Sequence, residues 1–299
     1  MKNNKISCPT CKSKEVVKRG YFHTEAHGKQ QRYFCKNCNK KFILKTAFYR
    51  MRNNEKKITL CLDLFYKGIS TRRIQEHLQA FYPHNSDHST IYRWIIRYSK
   101  QVAKFTEQLK LKVGYGLQID EMEFNRRKSH NKKLGVDKNW FIDMIDQRTK
   151  FIVSSNYCKT RGQEEIIKIL KTAKEKTESQ VTRITTDGYT AYENAIRHSF
   201  GLVGKNKYFG VQHKRVNASQ GQGFNYPIER LHNSVRQRTQ NFRGFHGSIE
   251  SANLIMRGFE IYYNFIRKHQ TLGKTPSDLA TDLKLKENNR WLELINLSN

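Results

Sequence analysis

Acidic residues are scarce in this sequence of 299 residues, which carries 26 Asp and Glu against 56 Lys and Arg and a formal charge of +30. The excess is spread along the chain, and residues 1–50 alone hold 13 basic and 2 acidic side chains. A field of this sign attracts polyanions and makes their binding depend on salt through counterion release. Nucleic acid is therefore the predicted partner, and an anionic membrane surface is the competing interpretation.

Long apolar runs are missing as well. No stretch approaches the roughly 20 apolar residues that a helix needs to cross a bilayer, and the polar start MKNNKIS lacks the pattern of a signal peptide. These absences predict a cytoplasmic, nucleoid-associated protein without a membrane anchor. In that compartment the six cysteines are expected to be reduced.

Four of the cysteines form two C-x-x-C pairs, CPTC and CKNC, with 23 residues between them. These are Cys8, Cys11, Cys35 and Cys38. Each pair places two thiolates on one tight turn, and two such turns supply the tetrahedral sulfur cage that Zn²⁺ prefers. Short strand-like stretches flank Gly28 between the pairs. The pattern predicts a zinc ribbon over residues 1–48 with a structural Zn²⁺, and disulfide pairing is the alternative.

Residues 49–108 have helical rather than strand spacing. A helix, a turn at Gly68, a second helix and a loop precede a last helix with apolar residues at i, i+3, i+4 and i+7, which are Ile91, Trp94, Ile95 and Tyr98. The polar side of that helix carries Arg93, Arg97 and Lys100. This order is typical of a helix-turn-helix whose last helix enters the major groove of DNA. A plain three-helix linker bundle has the same pattern.

From residue 109 to 283, strands alternate with helices, which predicts an α/β domain with a mixed sheet, followed by a C-terminal tail at 284–299. Asp120 and Asp187 are each expected to close a strand, in LQID and RITTD. In open α/β sheets active residues gather where strands end, although Asp187 could also be a turn former. Because acids near a DNA surface are costly without a neutralising cation, the pair predicts a divalent metal.

A third acid, Glu229, stands near the head of the predicted helix NYPIERLHNSVRQR. Arg236 lies seven residues later on the same face, and no acid occurs from residue 230 to 246. Contacts with DNA are predicted for Arg230, His232, Arg236, Arg238 and Arg243. For His232 a neutral position on the helix surface is the alternative. For Glu229 the alternative is a capping role, with Pro227 at the first helical position.

Three other polar residues are weaker candidates. Asp143 is predicted to be a strand residue, Asp146 a turn former, and His269 a partner in a structural hydrogen bond.

The segments LQIDEMEF, TTDGYTAYENAI, NYPIERLHNSVRQRTQNFRGF and YYNFIRKHQTLGKTPSDLA resemble the DDE transposases of prokaryotic insertion sequences. The resemblance covers about residues 112–283 and implies an RNase H-like catalytic core of the retroviral-integrase type. It implies that Asp120, Asp187 and Glu229 bind two Mg²⁺ (or Mn²⁺) ions. It also selects Asp120 over Glu121 and Glu123, which strand alternation places on the opposite face.

The resemblance further implies a DNA transposase that acts on double-stranded DNA, both the terminal inverted repeats of its element and the target. Water would nick the ends of the element, and the freed 3′-OH groups would then join target DNA. Because two DNA ends must be brought together, a homodimer or larger assembly is expected. Two alternatives stay open, a DNA-binding regulator with an inactive core and an RNase H-like nuclease or resolvase without strand transfer.

Overall fold

A computed structural model describes residues 6–82, 86–124, 126–127, 138–178, 180–202, 210–216, 226–240, 245–246 and 248–299. The chain divides into two compact units, Met1–Leu60 together with Asn299, and Cys61–Ser298. Within the described ranges, no helix is both long and apolar enough to cross a membrane.

The first unit contains a three-stranded antiparallel sheet in the order β1-β2-β3. Its strands are β1 (Val16–Thr24), β2 (Gly28–Cys35) and β3 (Lys41–Ile43). Gly28 starts β2 with a φ of +60°, a left-handed conformation that glycine adopts without a steric penalty. The two strands expected on either side of this glycine are therefore present, and β3 adds a third.

Three helices follow, namely α1 (Glu55–Tyr66), α2 (Thr71–Phe81) and α3 (His88–Thr106). The Ser70 hydroxyl caps α2 by accepting a hydrogen bond from the Arg73 N–H, and Asp87 caps α3. Side-chain caps of this kind satisfy N–H groups that the first turn leaves free. The apolar face predicted for α3 is buried. Residues 55–106 thus form helices in the predicted order.

The second unit contains a five-stranded sheet in the order β7-β6-β4-β8-β9. Its strands are β4 (Gly116–Glu123), β6 (Trp140–Asp146), β7 (Ile152–Cys158), β8 (Arg183–Thr186) and β9 (Gln212–Arg215). The pairs β4–β6 and β6–β7 are antiparallel, whereas β4–β8 and β8–β9 are parallel. The short strands β5 (Arg126–Arg127) and β10 (Phe245–His246) pair with each other. The predicted mixed α/β sheet is confirmed.

Helices cover both faces of this sheet. They are α4 (Gln163–Lys176), α5 (Ala191–Ser199), α6 (Tyr226–Thr239) and α7 (Ile249–Ile261). Neighbouring strand residues point to opposite faces, and on β7 the Ser154 hydroxyl bonds the Ile169 carbonyl of α4, whereas the Ser155 hydroxyl bonds Glu260 of α7. One face of the sheet therefore meets α4 and α5, and the other meets α6 and α7.

The chain end is structured. A π-helical turn, Tyr262–Ile266, continues α7, and two further helices follow, α8 (Pro276–Ala280) and α9 (Arg290–Leu297). Trp291 of α9 is buried and stacks on Tyr66, with 5.5 Å between ring centroids. The segment expected to be a tail thus contributes to the core of the second unit, because its apolar residues recur at helical spacing.

Helix α3 lies very close to α7 at Gly258. A Cβ atom at this glycine would collide with the hydroxyl groups of Tyr66 and Ser99, which are hydrogen-bonded to each other at 2.8 Å. Helices α2 and α3 therefore belong to the same compact unit as the five-stranded sheet, and no division between compact units falls at the predicted boundary near residue 108.

Candidate active site

The four cysteines of the C-x-x-C pairs meet in the first unit. All four sulfur atoms lie within 4.8 Å of one another, with 3.6 Å between Cys8 and Cys38 and 3.5 Å between Cys11 and Cys35. A tetrahedral Zn²⁺ with Zn–S bonds of about 2.3 Å would separate its sulfur ligands by roughly 3.8 Å. All six cysteines are free thiols. The donor set and its spacing therefore fit Zn²⁺, and the disulfide alternative is not realised.

The electrostatics of this cluster also favour a cation. The backbone N–H of Cys11 is the main cause that lowers the pKa of Cys8 to about 6. The pKa of Cys38 is raised to about 12, because burial and the three neighbouring sulfurs outweigh the backbone hydrogen bond at Lys40. Four thiols this close resist joint ionisation, whereas a bound cation would favour it.

Asp120 lies on β4, and Asp187 directly follows β8, the parallel neighbour of β4. The pairing of the two strands extends to Gln118 opposite Thr185, so each acid lies two residues beyond the last paired residues, at the same end of the pair. One expectation was wrong, because Asp120 does not close its strand. Pairing with β6 extends β4 to Glu123.

Asp187 follows the last residue of β8 as expected. Its Oδ1 accepts a hydrogen bond from the Tyr189 N–H at 2.9 Å, which is the turn-forming role that the sequence left open. The side chain is only half-buried. A turn role for one oxygen leaves the other oxygen of Asp187 for a second partner.

A buried histidine joins two carboxylates beside these acids. His232 of α6 is 4% exposed, so the alternative of a histidine on the helix surface is wrong. Its Nε2 lies 2.7 Å from Oδ1 of Asp143 and its Nδ1 lies 3.8 Å from Oδ2 of Asp120. Asp143 is directly opposite Asp120 in the β4–β6 pair. The ring thus lies against carboxylates of both strands. Because the ring is buried, DNA would not contact it directly.

Burial dominates the ionisation of this group. It raises the pKa of Asp120 to about 7, against the opposing effect of His232, and it also raises the pKa of Asp143. Burial lowers the pKa of His232, but Asp143 and then Asp120 outweigh it and the net shift is upward. Oδ2 of Asp143 is buried without a hydrogen-bond partner in the described part of the chain. Nearby positive charge would favour the ionised carboxylates.

Glu229 is carried to the same face of the sheet by α6. The N–H of Ile228 donates a hydrogen bond to Oε1 of Gln118 at 3.2 Å, and Gln118 shares its face of β4 with Asp120. Glu229 is half-exposed in the first helical turn. The helix begins at Tyr226 rather than at Pro227, which is within the usual uncertainty of helix ends.

The three acids do not form a closed cluster. Among the described residues, the four cysteines are the one set of potential ligands with all donor atoms within 4.8 Å. Asp120, Asp187 and Glu229 do not form such a group as they stand.

Glu121 points away from this face. It pairs with Arg161 at 2.8 Å and accepts a hydrogen bond from the Tyr192 hydroxyl of α5. Arg161 in turn lies over the rings of Trp140 and Tyr189. Strand alternation thus separates Glu121 from Asp120 as predicted.

The predicted cationic residues fall into two groups. Those that are exposed are Arg93, Arg97, Lys100, Arg230 and Arg236. The first three lie along one side of α3, opposite its buried face. Arg238 is half-exposed, donates a hydrogen bond to the Lys67 carbonyl at 2.8 Å and lies over the ring of Tyr262, and its contact with DNA stays a prediction. Arg243 lies outside the described residues.

Asp143 has a role beyond the one predicted for it, whereas Asp146 has the predicted role. Oδ1 of Asp146 accepts from the Gly114 N–H, and Oδ2 from the N–H and hydroxyl of Thr149, which confirms the predicted turn former. Asp143 is a strand residue as predicted, but it also pairs with His232. No signal in the sequence reveals this pairing, because β4 and β6 are not joined by a short turn that would fix the register of Asp143 opposite Asp120.

Comparison with known proteins gives a match to a family model in sequence and several similar solved structures. Residues 133–270, slightly less than half of the chain, match a family model for the DDE domain of IS240-type transposases. No curated protein matches the chain. The matched residues 133–270 include Asp187 and Glu229, whereas Asp120 lies before them.

Two of the similar solved structures are transposase complexes. One is a cryo-EM structure of the piggyBac transposase synaptic complex with hairpin DNA, which is 12% identical, covers 83% of this chain and 81% of that chain, and has a TM-score of 0.24. The other is the Mos1 transposase paired-end complex with the left transposon end, at 10% identity, 71% and 77% coverage and a TM-score of 0.21. These scores are too low to bear on the fold. In sequence, residues 133–270 are similar to the DDE domain of this family, which supports the resemblance to DDE transposases.

Proposed function

We propose that this protein is a DNA transposase whose catalytic acids are Asp120, Asp187 and Glu229. The observation that carries the proposal is the placement of these acids within or just before a DDE domain. Asp120 lies on β4 and Asp187 follows its parallel neighbour β8, each two residues beyond the last paired residues. Helix α6 approaches the same face through the hydrogen bond between Ile228 and Gln118. The enzyme would nick the ends of its element and join the freed 3′-OH groups to target DNA.

The RNase H-like assignment of the core belongs to the same proposal. It is supported by a central strand, β4, that has an antiparallel neighbour on one side and a parallel neighbour on the other. This arrangement lets the first acid come from β4, the second from the end of β8 and the third from a helix laid across the face.

Divalent ions such as Mg²⁺ or Mn²⁺, when bound by these acids, would supply Lewis-acid activation of a phosphate and its attacking oxygen. The chain's own residues prepare the site. The His232 ring lies close to both Asp120 and Asp143, which makes His232 a positioning residue rather than a contact for DNA. The unpartnered Oδ2 of buried Asp143 supports a cation or water near this group.

The N-terminal third of the chain would bind DNA. We assign residues 1–48 to a zinc ribbon, 49–108 to a helix-turn-helix and 109–283 to the catalytic domain, followed by residues 284–299. The exposed side of α3 supports DNA contact by Arg93, Arg97 and Lys100. Double-stranded DNA, both terminal inverted repeats and target, would be the partner, and a dimer or larger assembly would hold two ends together.

The test uses full-length protein, Mg²⁺ and a duplex that carries the terminal repeats found beside its gene. Unaltered protein should produce nicked and joined DNA, and Asp187→Asn or Glu229→Gln should remove both products while the fold is retained. Glu164→Gln is the matched control, since that acid is exposed on α4 on the other face of the sheet. Joined products from either variant would refute the assignment. Nicking without joining would favour a nuclease, and DNA binding without nicking a regulator.

A further inference from the structure

An open groove of about 360 Å³ runs along the outer side of α6. One wall is formed by helix residues at i, i+4 and i+7, and the other by the segment that follows the π-helical turn. The residues that matter are Arg230, Ser234 and Gln237 on α6, and Arg267, His269 and Gln270 opposite. Among its described lining residues there is no carboxylate. Such a lining offers hydrogen-bond donors and positive charge to an anion.

The two arginines of the groove, Arg230 and Arg267, differ in exposure and in contacts. Arg230 is exposed. Arg267 is half-buried, lies over the ring of Tyr263 and donates one hydrogen bond to the Ser234 hydroxyl at 3.3 Å. A guanidinium has five N–H donors in a fixed plane, so this anchoring sets the orientation of Arg267 and leaves further donors for a ligand.

His269 completes the wall. Its Nδ1 is buried and has no hydrogen-bond partner among the described residues, so the structural hydrogen bond expected for this side chain is not made at that atom. Burial lowers the pKa of His269, and Arg267, Lys150 and Arg230 lower it further. Several cations therefore act on this ring without a carboxylate to offset them, which indicates a positive potential in the groove.

The groove begins beside the proposed catalytic acids. Arg230 follows Glu229 directly in the first turn of α6, and Tyr263 on the groove floor is close enough to Asp143 for that carboxylate to raise the Tyr263 pKa, although burial is the main cause. A chain of phosphates laid in the groove would therefore lead to the acids.

We propose that this groove binds the phosphodiester backbone of a DNA strand next to Glu229, with Arg230 and Arg267 as the charged contacts and His269 as a hydrogen-bonding partner. The identity of the ligand as DNA rests on the proposed function. The groove itself is polar and of the size of a ligand pocket, and its donors match phosphate oxygens.

The experiment measures binding of full-length protein to a fluorescently labelled random-sequence DNA duplex, without divalent metal, over a range of salt concentrations. Arg230→Gln with Arg267→Gln removes two groove charges. Lys268→Gln with Lys274→Gln is the matched control, because both lysines are exposed in the same segment and do not line the groove. Each lost phosphate contact should reduce the salt slope by about 1, so the groove pair should lose about 2 and the control pair should keep the slope of the unaltered protein. Equal slopes for the two pairs would overturn the proposal.

A second measurement guards against misfolding, since Arg267 also packs on Tyr263. Arg230→Gln alone leaves that packing intact and should still reduce the slope by about 1. Modification of histidines by diethyl pyrocarbonate should be slowed by the duplex at His269 and not at His198, which is exposed on α5. Equal protection by inorganic phosphate at the same phosphate concentration would identify a small-anion site instead and overturn the assignment to DNA.

The two proposals can fail separately. If Asp187→Asn abolishes joining but the groove pair binds DNA normally, the groove assignment falls and the transposase assignment stands. If the groove pair loses binding but Asp187→Asn still joins DNA, the catalytic triad falls and the DNA groove stands.

Discussion

Nε2 of His232 lies 2.7 Å from Oδ1 of Asp143, and both side chains are buried within the second unit. The pair links α6, which carries Glu229, to the strand that neighbours Asp120. A buried carboxylate is tolerated when it is paired and hydrogen-bonded, and becomes costly when its partner is removed.

His232→Ala should therefore lower the free energy of unfolding by on the order of 3 kcal/mol, measured by urea denaturation. Asp143→Asn keeps the hydrogen-bonding shape without the charge and should cost clearly less. His232→Gln should restore part of the stability, because its amide can still donate to Asp143. Equal stability of His232→Ala and the unaltered protein would show that the pair is not important to folding.

The positioning role of His232 has a separate readout. If the ring holds Asp120 and Glu229 in place, His232→Gln should lower the rate of DNA nicking about 10-fold to 100-fold while binding of the random-sequence duplex stays unchanged. A histidine that touched DNA would instead weaken that binding and reduce its salt slope.

Strand alternation predicts different effects for substitutions of Asp120 and Glu123, which lie on opposite faces of β4. Asp120→Asn should reduce metal-dependent nicking by roughly 10²-fold or more, because it removes charge from the face that also carries Asp187 and Glu229. Glu123→Gln, on the opposite face and exposed, should leave the rate nearly unchanged. The measurement is single-turnover nicking at saturating Mg²⁺, and the reverse ranking would move the first acid to the other face.

The cysteine cluster predicts one Zn²⁺ per chain. Elemental analysis should find it, and a strong chelator should release it and expose the β1–β2–β3 sheet to hydrogen exchange, because small zinc modules fold with their metal. Cys35→Ser should lose the zinc. Cys158→Ala, which removes a buried cysteine from β7, should keep it, and retention of zinc by Cys35→Ser would contradict the ligand assignment.

The exposed side of α3 predicts a salt-dependent contact with DNA. Arg93→Gln with Arg97→Gln should weaken binding of the terminal-repeat duplex and reduce its salt slope by about 2. The matched control is Lys168→Gln with Lys171→Gln, two exposed cations on α4. If both pairs changed the salt slope equally, the α3 cations would contribute only to the overall positive charge of the protein and not to a specific DNA contact.

Gly258 predicts a steric limit between α3 and α7. Gly258→Ala should lower the free energy of unfolding by about 1–3 kcal/mol, because a methyl group would meet the hydroxyls of Tyr66 and Ser99. Adding Tyr66→Phe to that variant removes one of the clashing groups and should recover part of the loss. A strictly additive double mutant in thermal unfolding would argue against this contact.

Much of the local structure was predictable because it depends on short-range patterns. The C-x-x-C pairs and Gly28 define the small sheet, the i, i+3, i+4 spacing defines α3, and Asp146 defines its own turn through local hydrogen bonds. The mixed sheet follows from strands alternating with helices, and the similarity to DDE domains from the motifs around Asp187 and Glu229.

The rest depends on contacts between distant parts of the chain. Asp143 and His232 are 89 residues apart, so nothing local indicates that they pair or that the histidine is buried. Arg238 resembles its neighbours Arg230 and Arg236 in sequence, whereas its hydrogen bond to the Lys67 carbonyl joins residues 171 positions apart. The groove opposite α6 likewise exists because the π-helical turn brings Arg267 and His269 back beside that helix.

The close approach at Gly258 has a consequence for how DNA would be measured out. Helix α3 packs against α7 so closely at Gly258 that a methyl group would not fit. The proposed recognition helix, α3, and the proposed catalytic acids would therefore keep a fixed distance from each other. The number of base pairs between the recognised sequence and the nicked phosphate would then be invariant. Inserting half a helical turn of DNA between them should abolish cutting, whereas a full turn should restore part of it.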